Sequence, residues 1–224
     1  PCGVRRVATA GARRASPGVN ATFRHALVAH PSRPAPAGCA LSVAGRWSSE
    51  SLVLEYEILC GPDAWLDDSA PNVAPMRRDE LWRHTCCEAF VAYADDPGYL
   101  EFNFSPTGDW AAYDFAAERT GRVDHAWRGP DPVVRSMAGD APIRRLLVTL
   151  PRAALERVAE RGPLRATYTA VLAWRGVGST FWALHHPRPA PDFHARDGFV
   201  CRKFCNFCEL LRRVFVASPE TFEV

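Results

Sequence analysis

The chain has 224 residues, 47% of them apolar, and a formal charge of +2, enough to bury the core of one β-rich domain or of one domain with tails. So small a charge, with the basic residues scattered beyond the first 14 positions, argues against a nucleic-acid binder. No window approaches the roughly 18 uninterrupted apolar residues that would span a bilayer, so a soluble protein of the cytoplasm or periplasm is expected.

Residues 1–20 hold four arginines, no acid and no periodic apolar pattern, the composition of a disordered tail or of translated upstream sequence. A chain that begins with Pro rather than Met is expected to be a fragment, a processed product or the result of a mispredicted start. The domain is expected over residues 21–200, with 201–224 as an appended tail. From Phe23, FRHALVAH reads as a first short strand, followed by the proline-rich connection PSRPAPAG. In 52–59 the residues Leu52, Leu54, Tyr56 and Ile58 alternate with Glu55 and Glu57, a half-buried strand. The long loop 61–79, rich in Pro, Asp and Asn, is of the kind that is functional or mobile.

Strands are predicted at 85–93, 99–104 and 110–115, joined by hairpin-length loops. A further loop region carries Trp127 and the PDP sequence, and residues 146–150 read as a strand. A helix is predicted over 151–162, opened by Pro151 and stopped by Gly162. In 165–174, Ala166, Tyr168, Ala170, Leu172 and Trp174 share one face, and after the RGVGS turn a last strand occupies 180–184. Many short strands, one short helix and turn-rich connections make an all-β, mostly antiparallel β-sandwich of about ten strands.

The chemistry concentrates in two blocks. In the first, Leu100, Phe102 and Phe104 fall on one face of a strand and Glu101 and Asn103 on the other. Beyond the SPTGD turn, Tyr113 and Phe115 are read as joining the apolar face, which sets Trp110 and Asp114 beside Glu101 and Asn103. A tryptophan next to hydrogen-bonding groups on a rigid sheet suits a polar ring. Trp82, His84, Glu88 and Trp182, within the same dense motifs, are further candidates for ligand contact. In the second block His185, His186, Asp192 and His194 lie on a segment expected to close one side.

Histidines and aspartates this dense invite a metal reading, but His185 and His186 point opposite ways on a strand and prolines separate them from His194. They either fix a loop by hydrogen bonds or line a ligand, and no metal site is expected. Of the eight cysteines, Cys86 and Cys87 point to opposite faces, and Cys201, Cys205 and Cys208 have the CxxxCxxC spacing of an iron–sulfur cluster. Only 16 residues follow the last of them, leaving no barrel to hold a cluster. No nucleophile elbow, phosphate loop or dinucleotide fingerprint occurs. Glu88, Glu101 and Asp114 could serve as acid and base. Of the other tryptophans, Trp174 is expected in the core, and Trp47 and Trp65 in connections.

The three motifs LWRHTCCEAF, YLEFNFSPTGDWAAYDF and FWALHHPRPAPDFHARDGF, in that order, resemble those of the bacterial DOMON-like domain proteins, relatives of the family-nine carbohydrate-binding modules. The likeness covers residues 26–200; Cys87 stands where such proteins usually carry Phe, and the tail beyond Phe199 departs from the pattern. The resemblance implies a sandwich of about ten strands holding a sugar or a haem against one sheet, without catalysis. The expected function is therefore carbohydrate binding by tryptophan stacking. A haem module comes second, with Met76 or Met137 paired with a histidine as axial ligands, and a carboxylate-dependent hydrolase third. The expected partner is a small-molecule or carbohydrate ligand, without a required cofactor.

Overall fold

The structure, a computed structural model, describes residues 22–48, 50–60, 73–93, 95–138, 142–159 and 164–200. The tails 1–20 and 201–224, with Cys201, Cys205 and Cys208, lie outside the described residues, as does Trp65. The described residues form eleven antiparallel strands that make two facing sheets. The first holds β1 (Thr22–Ala29), β2 (Ala40–Trp47), β3 (Ser51–Leu59), β9 (Ile143–Pro151) and β8 (Val133–Ala138), in that spatial order. The second runs β7 (Val123–Asp124), β6 (Trp110–Phe115), β5 (Tyr99–Phe104), β4 (Cys86–Tyr93), β10 (Leu164–Trp174), β11 (Gly178–Ala183). β1 links them: Thr22 to Leu27 pair with β2, whereas Val28 and Ala29 pair with β11. A strand that changes sheets lets a continuous ladder fold over on itself and bury one face of each half.

The core between the sheets follows from alternation. β3 sends Leu52, Leu54, Tyr56 and Ile58 inward, and β10 sends Ala166, Tyr168, Ala170, Leu172 and Trp174 to meet them. β5 contributes Leu100, Phe102 and Phe104. Tyr56 reaches across the sandwich, its hydroxyl donating to the backbone carbonyl of Glu88 at 2.7 Å. Cys87 faces this core and Cys86 the opposite side, both as free thiols.

Three strands were not anticipated from the sequence. β2 brings Leu41, Val43 and Trp47 into the core, so Trp47 is not a connection residue. Its alternation is broken by Gly45, where the Phe23 ring of β1 lies so close that a Cβ would stand 2.0 Å from a ring carbon. β8 is an edge strand that buries Val134, and β7 has two residues. The expected helix over 151–162 is shorter in its described part. Pro151 is still paired with Ser51 in the β3–β9 ladder, a 3₁₀ turn follows at Arg152–Leu155, and α1 is Glu156–Ala159. Ala154, Leu155 and Val158 are buried in the core, tying this turn beneath the sheets. No helix among the described residues is long and apolar enough to cross a membrane.

The outer face of the second sheet is also covered. Phe90, Tyr99, Tyr113 and Phe115 form a second apolar cluster there, sealed at one end by Phe199. Phe199 belongs to the segment 184–200, which runs across this face after β11. The Arg196 guanidinium anchors it, donating to the carbonyls of Tyr93 at 2.8 Å, Asp96 at 2.7 Å and Gly98 at 3.2 Å, at the β4–β5 connection.

Candidate functional site

Between the outer face of the second sheet and the segment 184–200 lies a pocket of about 460 Å³. Its floor is strand surface. Glu88 of β4 stands opposite Asn103 of β5 and Thr169 of β10, while Glu101 stands opposite Phe90 and Tyr113. Glu88 and Glu101 are thus diagonal neighbours on adjacent strands, close enough for long side chains to interact. Both are buried, at 2% and 5% exposure.

Each carboxylate has one oxygen engaged. The Thr169 hydroxyl donates to Glu88 Oε2 at 2.9 Å, and the Asn103 amide donates to Glu101 Oε1 at 2.6 Å. Asn103 is itself held by the Cys86 thiol, 3.8 Å from its Oδ1. Burial pushes the Glu88 carboxyl up to about 8; the neighbouring Glu101 adds to the rise and the Thr169 bond opposes it. Burial raises Glu101 too, against the Asn103 bond and the positive charges of Arg122 and Arg119.

The walls are aromatic and cationic. Phe115 and Tyr113 rise from β6, Phe181 from β11 and Phe193 from the closing segment, with Trp82 at the mouth, 44% exposed. Arg119 and Arg122 come from the turn after β6. Arg119 binds Asp192 of the closing segment at 2.7 Å, and Arg122 lies over the Tyr113 ring at 4.8 Å. His194 links segment to sheet. The Arg119 backbone N–H donates to the Tyr99 hydroxyl oxygen at 3.2 Å, and the same hydroxyl is hydrogen-bonded to His194 Nδ1 at 2.6 Å. The other ring nitrogen, Nε2, stands 3.9 Å from Glu101 Oε2. Burial, with Arg119 nearby, holds the imidazole down to about 4 against the pull of Asp192, so at neutral pH the ring is uncharged.

The structure brings Trp82, Glu88, Glu101 and His194 together in this pocket, with Asn103 supporting Glu101 and Asp192 holding Arg119. Other sequence candidates lie elsewhere. Trp110 is a correction: it stands opposite Phe104, inside the core, 5% exposed, against Trp127 at 5.4 Å. The β5–β6 loop, 105–109, has an odd number of residues, so Trp110 shares the face of Phe104 and not that of Glu101. Tyr113 and Phe115 accordingly take the outer face that had been assigned to Trp110 and Asp114. Asp114 pairs with Leu100 and lines a separate cleft of about 220 Å³ with Asp96 and Tyr93. Trp182 is core as well, its N–H donating to the buried Thr180 hydroxyl at 2.8 Å.

His84 is exposed in a polar cleft of about 500 Å³ beside Arg78 and Asp109. His185 and His186 lie with His30 in another cleft; His186 Nε2 meets the Val28 carbonyl at 2.9 Å and its ring abuts His30 edge-on at 4.7 Å. Among the described residues no group of three or more His, Cys, Asp or Glu is placed to hold a metal ion. Met76 and Met137, half-exposed, do not line the pocket, so the axial pair required for haem is not assembled there.

A two-sheet antiparallel sandwich with a carboxylate-floored, aromatic-walled pocket on one outer face is the class of protein that these features define. No protein-family model and no curated protein matches the chain. Among solved structures, a protein from Bacteroides uniformis assigned as carbohydrate-binding aligns over 80% of this chain and 84% of its own, with 16% identity and a TM-score of 0.56. The likeness is one of fold. A family-nine carbohydrate-binding module from Caldicellulosiruptor kristjanssonii, solved with glucose and with cellotriose, aligns over 70% of this chain and 73% and 71% of its own, at 10% identity and a TM-score of 0.36.

Proposed function

We propose that the pocket binds a carbohydrate-like ligand and that the protein is a non-catalytic binding module. The observation that carries this reading is the pair of buried carboxylates, Glu88 and Glu101, at the floor of one open pocket whose walls are aromatic. A sugar ring has apolar C–H faces and a polar hydroxyl edge, so it fits a site with flat rings at the sides and hydrogen-bonding groups beneath. Trp82 supplies the exposed ring at the mouth, and Phe181 and Phe193, whose rings pack against each other at 6.1 Å, supply one apolar wall. Trp110 and Trp182, being core residues, do not stack on ligand. The sandwich shared with the Bacteroides uniformis protein supports the reading, as does the DOMON-like resemblance of the three motifs.

The test is a glycan array followed by titration of tryptophan fluorescence. Trp82→Ala weakens binding of the selected sugar by about 1–3 kcal/mol through loss of an aromatic anchor. A sugar that binds this variant as tightly as the parent moves the site away from the pocket, and the absence of any bound sugar removes the reading. The same carboxylate pair favours a second reading, hydrolysis by one protonated and one ionised acid; release of reducing ends from the selected glycan is its check.

A further inference from the structure

Resting on the carbohydrate reading, we propose that Glu88 and Glu101 form a donor–acceptor pair that selects an uncharged, hydroxyl-bearing sugar over amino and acidic sugars. The geometry decides which carboxyl carries a proton and where. Two buried like charges on diagonal positions of adjacent strands cannot both ionise cheaply. Arg119 and Arg122 favour the ionised form of Glu101, whereas Glu88 is supported only by the neutral Thr169 hydroxyl. The shared proton therefore resides on Glu88. The Glu88 oxygen that accepts from the Thr169 hydroxyl is Oε2, which assigns the proton to Oε1 of a side chain that lines the pocket.

The floor then offers one O–H donor, on Glu88, and one carboxylate acceptor, Glu101 Oε2. Two hydroxyls of one sugar edge satisfy both, the first accepting from Glu88 and the second donating to Glu101. A hydroxyl beside Glu88 can accept from it, whereas an ammonium group in that place can only donate and leaves the Glu88 O–H unpaired. A uronate carboxylate placed against Glu101 Oε2 meets a like charge. The other titratable or charged groups facing this floor are Cys86 on β4, Tyr99 on β5, Tyr113 on β6, Arg119 and Arg122 after β6, and His194 with Asp192 on the closing segment. Thr169 of β10 and Phe181 of β11 do not titrate. The thiol and both phenols are raised by burial and keep their protons, and His194 is held neutral. Glu88 is thus the group whose titration changes the floor above neutrality.

Glucose, galactose, mannose, xylose and cellotriose, with glucuronate and glucosamine, are titrated into the full chain at about pH 6.5 and about pH 9.5. The best uncharged sugar loses roughly 30-fold in affinity at the higher pH, tracking the protonated fraction of a group near 8. Glu88→Gln, whose amide keeps a donor at every pH, binds without that loss. The carboxyl ¹³C shift of Glu88 in the unliganded protein titrates alongside. Sugar binding that is flat in pH, tighter binding of glucosamine or glucuronate than of the uncharged sugars, or a Glu88 midpoint in the ordinary carboxylate range overturns the inference while leaving carbohydrate binding standing. Failure of every sugar at both pH values overturns the carbohydrate reading and this inference together.

Discussion

On the inner face of the second sheet Phe102, Phe104, Trp110, Tyr168 and Trp182 meet the first sheet, whereas on the outer face of the same strands Glu88, Glu101 and Asn103 share space with Tyr99, Tyr113 and Phe115. The faces are comparably buried, so burial alone does not tell core from site. Polarity does. On the inner face the two indole N–H groups of Trp174 and Trp182 both donate to Thr180, which closes a local need. On the outer face two acids are buried with one oxygen each engaged, an arrangement that costs stability. A fold that needed only to cover this sheet would place apolar residues there, as it does at Phe90 and Phe115.

The contrast breaks first at the core. Phe102→Ala and Trp110→Ala should each lower unfolding free energy by about 3–5 kcal/mol, since each leaves a cavity between the sheets. Denaturant unfolding of the purified variants measures it. If Trp110→Ala unfolds at the parental midpoint, the indole is not between the sheets and the two faces of β6 must be exchanged.

That register is where the sequence misleads. The alternations of β3, β5 and β10 are legible residue by residue, because one face of each is apolar while Glu55 and Glu57 in β3, Glu101 and Asn103 in β5 and Thr167 and Thr169 in β10 mark the other. In β6, WAAYDF, aromatic residues occur at both parities, so composition cannot choose a face; a one-residue slip exchanges every side chain. The usable signal was loop length. Phe104 and Trp110 close a five-residue connection, and an odd loop keeps directly opposed residues at the same parity. β2 was hidden by Gly45, whose missing side chain is replaced by the Phe23 ring from the neighbouring strand. Of the site, Glu88, Glu101 and His194 could be picked out as polar residues in dense motifs. Phe181, Phe193, Arg119 and Arg122 carried no local mark; only the return of segment 184–200 across the sheet brings them together.

The outer face should also carry a pH signature that the inner face lacks. Folded Glu88 keeps its proton to about 8, while the unfolded chain releases it near the ordinary 4.5. Between these values the folded state binds more protons, so this group makes stability fall as pH rises, and the loss is complete above about 8. Glu88→Gln should remove that slope and exceed the parent at high pH by an amount on the order of a few kcal/mol. Denaturant unfolding across the pH range reads it; parallel profiles for parent and variant would show that the acid is not desolvated.

His194 acts in the opposite direction. The unfolded imidazole takes a proton near 6.5 and the folded one only near 4, so stability present above 6.5 is lost as pH falls toward 4. His194→Gln should lessen this acid sensitivity by about 1–3 kcal/mol at the low end. The Tyr99 hydroxyl bond to His194 should fail together with the closing segment, so hydrogen exchange at residues 192–199 should quicken in acid before exchange in β4 and β5. Simultaneous loss of protection in both would mean that the segment belongs to the same cooperative unit as the core.

The smallest effect on stability belongs to Trp82, and it is the sharpest test of the difference between the faces. Its ring is 44% exposed at the mouth of the pocket, with the Arg83 guanidinium 5.2 Å from the ring centroid and the surrounding 3₁₀ turn held by the buried Leu81. More than half of Trp82 is covered, but its removal opens onto solvent and leaves no enclosed cavity, and Leu81 stays in place, so unfolding should shift by no more than about 1 kcal/mol. Trp110→Ala, on the inner face, should lose most of its folded population under mild denaturant and lose binding only through unfolding. A ligand-binding loss without a stability loss at Trp82, set against a stability loss at Trp110, would assign one tryptophan to each face. If instead Trp82→Ala costs as much stability as Trp110→Ala, Trp82 is part of the outer apolar cluster and the pocket mouth is a packed wall.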